Sequence, residues 1–526
     1  MTLLRRSSSV GALGAVLAGG LLAVGSAGAQ SPATSFSGPT NFLTGPVPWL
    51  VAAGDLNRDG RPDLVTANAG SLGPGGVSVS MNTTPPGAAT PSLASPSTHG
   101  AGVLPLGVAL GDLDGDGLLD LAVANALGGA AGTGSVSVLL NRTPTGATEG
   151  SYDGPFNLAT GPNPSQIAAG DLNGDGRVDL VTGNGLLPSG PSDTTVSVLL
   201  NVTAPGATQP SFTHTDYPGG GVAEGLGLGD LDSDGSLDIV TGNTATSDLT
   251  IYLNRTPPGA TTPVLEGPTS PAVPQATGLD LGDLNGDGRL DLAVASTGGG
   301  VYVLLNTTEP ASPESFAAPV HFDSGSAVTE GVAIADYNLD GQLDVAVVND
   351  FAAGTGNVSV FVNQTPARAP APVFAGPDQY TAGNGFNGAN SVVDADINSD
   401  TQPDIVTAQA ASGQLPVLAD LVPAIDDLIS GLPIPETLAA LPIIGDAVSI
   451  LLNTGQRPAI PALVDEAPAG TSAATTPPQR DQRTGLPATG GSAPGPAVVA
   501  ALGLALLARR VQAYTCAEGG DPQGLT

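Results

Sequence analysis

Seven short acidic stretches punctuate this chain, and no other feature constrains its fold as strongly. They read GDLNRDGRPDL, GDLDGDGLLDL, GDLNGDGRVDL, GDLDSDGSLDI, GDLNGDGRLDL, ADYNLDGQLDV and ADINSDTQPDI. Their first aspartates are Asp55, Asp112, Asp171, Asp230, Asp283, Asp336 and Asp396, so successive copies start 53 to 60 residues apart. A steady period of that size marks a repeat architecture.

Counted from that aspartate, side-chain oxygens fall at positions 1, 3, 5 and 9, and glycine falls at 6. In the first copy these are Asp55, Asn57, Asp59 and Asp63, with the carbonyl of Arg61 offered at position 7. The second has Asp112, Asp114, Asp116, Leu118 and Asp120, and the third Asp171, Asn173, Asp175, Arg177 and Asp179. The fourth has Asp230, Asp232, Asp234, Ser236 and Asp238, and the fifth Asp283, Asn285, Asp287, Arg289 and Asp291. The sixth has Asp336, Asn338, Asp340, Gln342 and Asp344, and the seventh Asp396, Asn398, Asp400 and Asp404. Acids at alternate positions of a tight loop repel one another unless a cation sits between them. Calcium suits such a set, because it takes six to eight oxygens in flexible geometry, whereas magnesium demands a strict octahedron. A metal-free Asp/Asn/Gly turn is the alternative, and seven copies in register favour the ion. The flanks exclude an EF-hand: they are short β-type runs, and no glutamate follows at position 12.

The formal net charge is -34, yet apolar residues make up 40% of the chain. Such acidity argues against nucleic acid as a partner, and the periodic apolar content argues against disorder. The seven loops hold 23 of the 48 acidic residues, so the acidity is largely a calcium inventory. With Cys516 as the single cysteine, the body has no disulfides, which leaves the stapling to metal.

Each unit has one order. An alternating strand enters the loop, and a second leaves it (DLVTAN, DLAVAN, DLVTGN and their counterparts). A Gly-rich turn leads to a third, such as VSVLLN, and a weaker fourth follows in a Pro/Gly/Thr-rich segment often carrying an aromatic, such as Phe156, Phe212, Phe316 or Phe374. Four short strands repeated seven times describe the blades of a seven-bladed β-propeller, an all-β fold. The segment Phe36 to Gly45 is then a fourth strand with no blade ahead of it, and the last unit lacks one. It is expected to complete the last blade and close the ring.

The pattern D-x-[DN]-x-D-G-x-x-D between strands, preceded by a Gly-Pro turn as in FNLATGPNPSQIAAGD, resembles the FG-GAP/VCBS-type repeats of integrin α chains and of many secreted bacterial proteins. The resemblance implies a seven-bladed propeller with up to seven calcium ions, one between the first two strands of each blade. Thr401 departs from it, standing where the other loops have glycine at a position expected to need a positive φ. Six third strands end in N-x-T, at Asn82, Asn141, Asn201, Asn254, Asn306 and Asn363. The triplet is a glycosylation acceptor. Its recurrence at one station favours a structural role in ending the strand and opening the turn.

Residues 1–29 read as a secretory signal: Arg5 and Arg6, a small apolar run, then Ala27-Gly28-Ala29 before Gln30. The propeller is assigned to 30–454. An insertion at about 409–446 in the last unit places Leu418, Leu421, Val422, Ile425, Leu428 and Ile429 at helical spacing. A Pro/Ala/Thr-rich linker covers 455–485. In 486–510, LPATG, an apolar run and Arg509-Arg510 resemble a cell-wall sorting signal, followed by a tail at 511–526. That resemblance implies cleavage by a sortase between Thr489 and Gly490, attachment to peptidoglycan, and only transient contact with the membrane. The expected location is the cell surface of a Gram-positive-type bacterium.

No nucleophile motif, phosphate loop or zinc spacing is present. His99, His214 and His321 fall at similar stations of three different units, which argues against a shared site. The expected function is adhesion, through a face that binds a protein or glycan. A carbohydrate-active enzyme on the same scaffold and a structural spacer are the alternatives.

Overall fold

A computed structural model describes residues 34–70, 74–127, 134–185, 194–204, 207–309, 314–350, 358–382, 389–409 and 447–455. The segments read above as an export signal, a helical insertion, a linker and a sorting signal, with Thr489 and Gly490, lie outside the described residues.

The described chain is all-β. The strand β1 (Thr40–Leu43) pairs far away in sequence and is taken last. The strands β2 (Pro48–Gly54), β3 (Asp63–Asn68) and β4 (Pro74–Ser80) lead into β5 (Ser97–Gly111), which continues into β6 (Asp120–Leu127), β7 (Ser135–Asn141) and β8 (Tyr152–Ala159) as one antiparallel seven-stranded sheet. Three four-stranded sheets follow. The first holds β9 (Gln166–Gly170), β10 (Asp179–Gly183), β11 (Thr195–Asn201) and β12 (Phe212–Pro218). The second holds β13 (Ala223–Gly229), β14 (Asp238–Asn243), β15 (Asp248–Asn254) and β16 (Leu265–Thr269). The third holds β17 (Ala276–Gly282), β18 (Asp291–Ser296), β19 (Val301–Leu304) and β20 (Val320–Phe322). A fifth sheet joins β21 (Val328–Ala335), β22 (Asp344–Asp350), β23 (Val358–Asn363) and β24 (Phe374–Tyr380). The last joins β25 (Ala389–Ala395), β26 (Asp404–Gln409) and β27 (Ala447–Leu451) to β1.

The expected closing segment therefore does pair with the far end of the body. Thr40 lies opposite Ile450 and Leu43 opposite Ala447, and Phe36 bridges to Asn453. The continuity of β5 is not visible in the sequence as a strand. Where other units break, β5 bends instead, with Leu104 at φ 56° and an irregular register between Pro105 and Gly107.

Burial explains the composition of each strand. The second strands, such as β3 and β10, are buried along their whole length, so they carry an unbroken run of Leu, Val, Ile, Thr and Ala. The fourth strands, such as β8, alternate between half-buried and exposed. Apolar clusters lie between consecutive quartets rather than within them. Leu56, Val65 and Val79 pack on Val108, Leu121 and Val123. Val51 and Leu64 pack on Val406 and Ile450, joining the first quartet to the last. The first strands touch in series, β2 to β5, β5 to β9, β9 to β13, β13 to β17, β17 to β21 and β21 to β25, and β25 touches β2. The arrangement is consistent with a β-propeller.

Candidate metal centres

All seven acidic loops join a first strand to a second, and each turns in the same way. Positions 4 and 6 both take positive φ. Position 6 is glycine in six loops, from Gly60 (φ 86°) to Gly341 (φ 91°), and in the seventh Thr401 adopts φ 72°. Position 4 is glycine in three loops only. Arg58, Ser233, Leu339 and Ser399 take φ of 54° to 60° in the others. This second left-handed residue leaves no signature in the sequence.

The position-1 carboxylate is the hub of the turn. Asp55 accepts the N–H of Asp59 at 3.1 Å and of Gly60 at 2.9 Å, one on each oxygen. Asp171, Asp230, Asp283, Asp336 and Asp396 repeat the pair, the last with the N–H of Thr401. Asp112 accepts from Gly115 and Gly117 instead.

Position 9 is fully buried in every copy. One oxygen of Asp63, Asp120, Asp179, Asp238, Asp291, Asp344 and Asp404 accepts the N–H of its own loop's position 2 at 2.7–3.0 Å. The other accepts the N–H of the asparagine that ends or follows the unit's third strand, at 2.7–2.8 Å. Burial nevertheless pushes these carboxyls up, with neighbouring acids adding to it: Asp63 to about 6, Asp120 to about 8, and Asp179, Asp238, Asp291, Asp344 and Asp404 to about 7. A carboxylate held in that state lacks a counter-charge.

The asparagines explain the N-x-T stations. Each is buried, and each donates Nδ2–H to the position-2 carbonyl of the loop one unit back, at 2.7–3.0 Å. The bonds run from Asn141 to Leu56, Asn201 to Leu113, Asn254 to Leu172, Asn306 to Leu231 and Asn363 to Leu284. Asn453 reaches Tyr337, and Asn82 reaches Ile397 of the last loop, so the series returns to its start. The Oδ1 atom of Asn82 accepts the N–H of Thr84, as in the other triplets. An amide buried and bonded in this way cannot present itself for glycosylation in the folded chain.

In the second and fourth loops, acidic oxygens converge. Asp112, Asp114 and Asp116 place one oxygen each within 4.8 Å of one another, as do Asp230, Asp232 and Asp238. The donors are hard and anionic, which fits a cation of the calcium type. In the five loops with asparagine at position 3, that amide donates to the position-5 carboxylate at 3.1–3.2 Å. In four of those five it donates also to a carbonyl in the next unit's turn, such as Ala147 or Ala260.

Position 7 offers a carbonyl, but its side chain also acts. Arg61, Arg177 and Arg289 pair with Asp59, Asp175 and Asp287, and donate through Nε to the carbonyls of Asn82, Asn201 and Asn306. Leu118 and Ser236 cannot. There the arginine following the strand-end asparagine takes over: Arg142 binds Asp114 and Asp116 at 2.8 Å each, and Arg255 binds Asp232 and Asp234 at 2.6 Å each. Sequence reasoning missed both arginines. Aligning the seven units on their asparagines would have exposed them. The three histidines lie on β5, β12 and β20, in three separate sheets.

Family models agree with the repeat reading. An FG-GAP-like repeat model matches residues 112–182, 230–294 and 283–347, and an FG-GAP repeat model matches 47–80, consistent with an FG-GAP repeat protein. No curated protein matches the chain. Among solved structures, a BP39L lectin from Burkholderia pseudomallei is 14% identical with a TM-score of 0.47, covering 69% of this chain and 93% of its own. A BBS1N structure in complex with ARL6DN is 13% identical with a TM-score of 0.40, covering 72% and 95%.

Proposed function

We propose that residues 30–454 form a seven-bladed β-propeller whose seven loops bind calcium, and that this body is exported, joined to the cell wall through Thr489, and used to hold a protein or glycan at the cell surface. The observation that carries the reading is the repeated loop: one buried carboxylate per copy with no counter-charge of its own, set among further oxygens and linked by an asparagine to the neighbouring unit. In each loop the ion would be held by the oxygens at positions 1, 3, 5 and 9, and in the first six loops also by the position-7 carbonyl. Without a position-12 glutamate, each site belongs to the ~0.1–1 mM class of extracellular modules. At ~1 mM calcium, seven independent sites of that strength contribute about 3–10 kcal/mol, comparable with the stability of a whole domain. The metal's role in this reading is to hold the body folded, and recognition rather than catalysis is its output.

The test is binding of the purified protein to arrays of glycans and matrix proteins, in calcium and in chelator, with folding followed by circular dichroism. Calcium-dependent capture of one ligand class supports adhesion. A folded, calcium-loaded body that captures nothing overturns adhesion and favours the spacer. A fold and melting point indifferent to calcium overturn the metal assignment.

A further inference from the structure

The seven loops differ in how they balance their carboxylates: in the first, third and fifth, the position-7 arginine pairs with position 5 alone, whereas in the second and fourth an arginine from the third strand's end holds positions 3 and 5 together. Three differences set the second and fourth loops apart, and they coincide. Position 3 is aspartate (Asp114, Asp232), where the other five loops have asparagine. The residue after the strand-end asparagine is arginine (Arg142, Arg255), where the others have Thr, Val or Gln. An acid stands on the fourth strand opposite the residue before that asparagine: Asp153 faces Leu140 and Glu266 faces Leu253. The same station holds Thr213 and Ala375 in two other units. In the remaining three it holds Ala94, Ala317 and Ser37, whose N–H groups bond to Met81, Leu305 and Leu452.

Each guanidinium is engaged in the same way. The Nη2 of Arg142 binds Asp114, its Nη1 Asp116 and its Nε Asp153. Arg255 repeats this with Asp232, Asp234 and Glu266. The chemistry explains why the features travel together. An asparagine at position 3 steadies the position-5 carboxylate with its own N–H. An aspartate there has no donor and adds repulsion, so donors and positive charge must come from outside, and a fork of three N–H directions meets that need.

We propose that Arg142 and Arg255 are built-in counter-cations of the second and fourth loops, each holding the position-3 and position-5 carboxylates together and carrying part of the charge that a bound metal would otherwise have to balance there. The proposal deepens the calcium reading and rests on it for the metal-dependent half. These two loops keep their shape without the ion, and the arginine tunes how strongly they take it.

The test compares the melting of the full-length protein, Arg142→Ala and the repeat-swapped Asp114→Asn/Arg142→Thr, each in chelator and in 5 mM calcium chloride. Arg142→Ala is expected to melt about 2 °C below the parent in chelator, with the gap at least halved in calcium. The double variant regains at least half of the loss, because the asparagine introduced at position 3 supplies the donor that the other loops use. An Arg142→Ala protein that melts with the parent in chelator overturns the proposal. So does a loss that is equal with and without calcium and is not rescued, which would mark simple packing. If Arg142→Ala does not fold, a folded double variant still supports the proposal, and an unfolded one overturns it. Should calcium leave the parent's melting point unmoved, the calcium reading fails, while loss and rescue in chelator still decide the arginine's role.

Discussion

The two ends of the repeat body are built under different rules. At one end, the loop between first and second strands spans eight residues in every unit. At the other, the connection between second and third strands runs from four residues, at 244–247, to 37, at 410–446. The constant end holds the buried position-9 carboxylates and the asparagine bonds from unit to unit. Its length cannot drift, because one inserted residue would move a carboxylate off its ring of N–H donors. Loop-closure entropy grows slowly with length, so the other end varies cheaply. On the proposed reading, the ligand-binding face lies at the variable end and the metal at the constant one.

If the loops hold calcium as proposed, its removal is the strongest way to break the constant end, with about 3–10 kcal/mol at stake. The effect carries a pH signature. The seven position-9 carboxyls have folded values raised to about 6 to 8 by burial. A raised carboxyl favours the folded state while protonated, and that contribution is lost as pH rises through the folded value. Calcium-free protein should therefore melt lower at pH 8 than at pH 5, and added calcium should raise the melting point more at pH 8. Melting curves at both pH values, with and without calcium, decide it. A calcium-free protein that is more stable at pH 8 would show that these carboxyls are not strained by burial.

The unit-to-unit bond comes next. Asn201→Ala removes donors from the carbonyls of Leu113 and Val178 and the acceptor for the N–H of Thr203; the bonds to Leu113 and Thr203 are buried and that to Val178 is part-buried. Unpaired buried groups of this kind cost about 1–3 kcal/mol each before relaxation, so a loss of about 2–4 kcal/mol is expected by denaturant unfolding in calcium. A loss under 1 kcal/mol would mean that the units are held by apolar packing alone.

Much of this end is legible in the sequence because its chemistry carries tags: Asp at 1, 5 and 9, Gly at 6, and the N-x-T asparagines. The pairing of β1 with β27 is legible too, since an orphan strand ahead of the first loop and a missing one in the last unit call for each other. The left-handed turn at position 4 is not, because the closing of the loop imposes it on Arg58, Ser233, Leu339 and Ser399 alike. Nor is the role of Arg142, which depends on where a side chain one strand away points. The continuity of β5 is hidden because a bend at Leu104 replaces the usual break.

The smallest effect tests how rigidly the loop form is imposed. Thr401 holds φ 72°, where six loops use glycine, and a β-branched residue is strained there by about 1–3 kcal/mol. Thr401→Gly relieves that strain but loosens the unfolded chain, which offsets about 0.4–1 kcal/mol of it. A net gain of about 0.5–1 kcal/mol is expected, read as a rise in the denaturation midpoint with an unchanged slope. If the seventh loop could relax on its own, the strain would already be absent and the substitution would destabilise. A gain would show that the hydrogen bonds of Asp396 and the bond from Asn82 to Ile397 hold the loop to the common form against its own sequence.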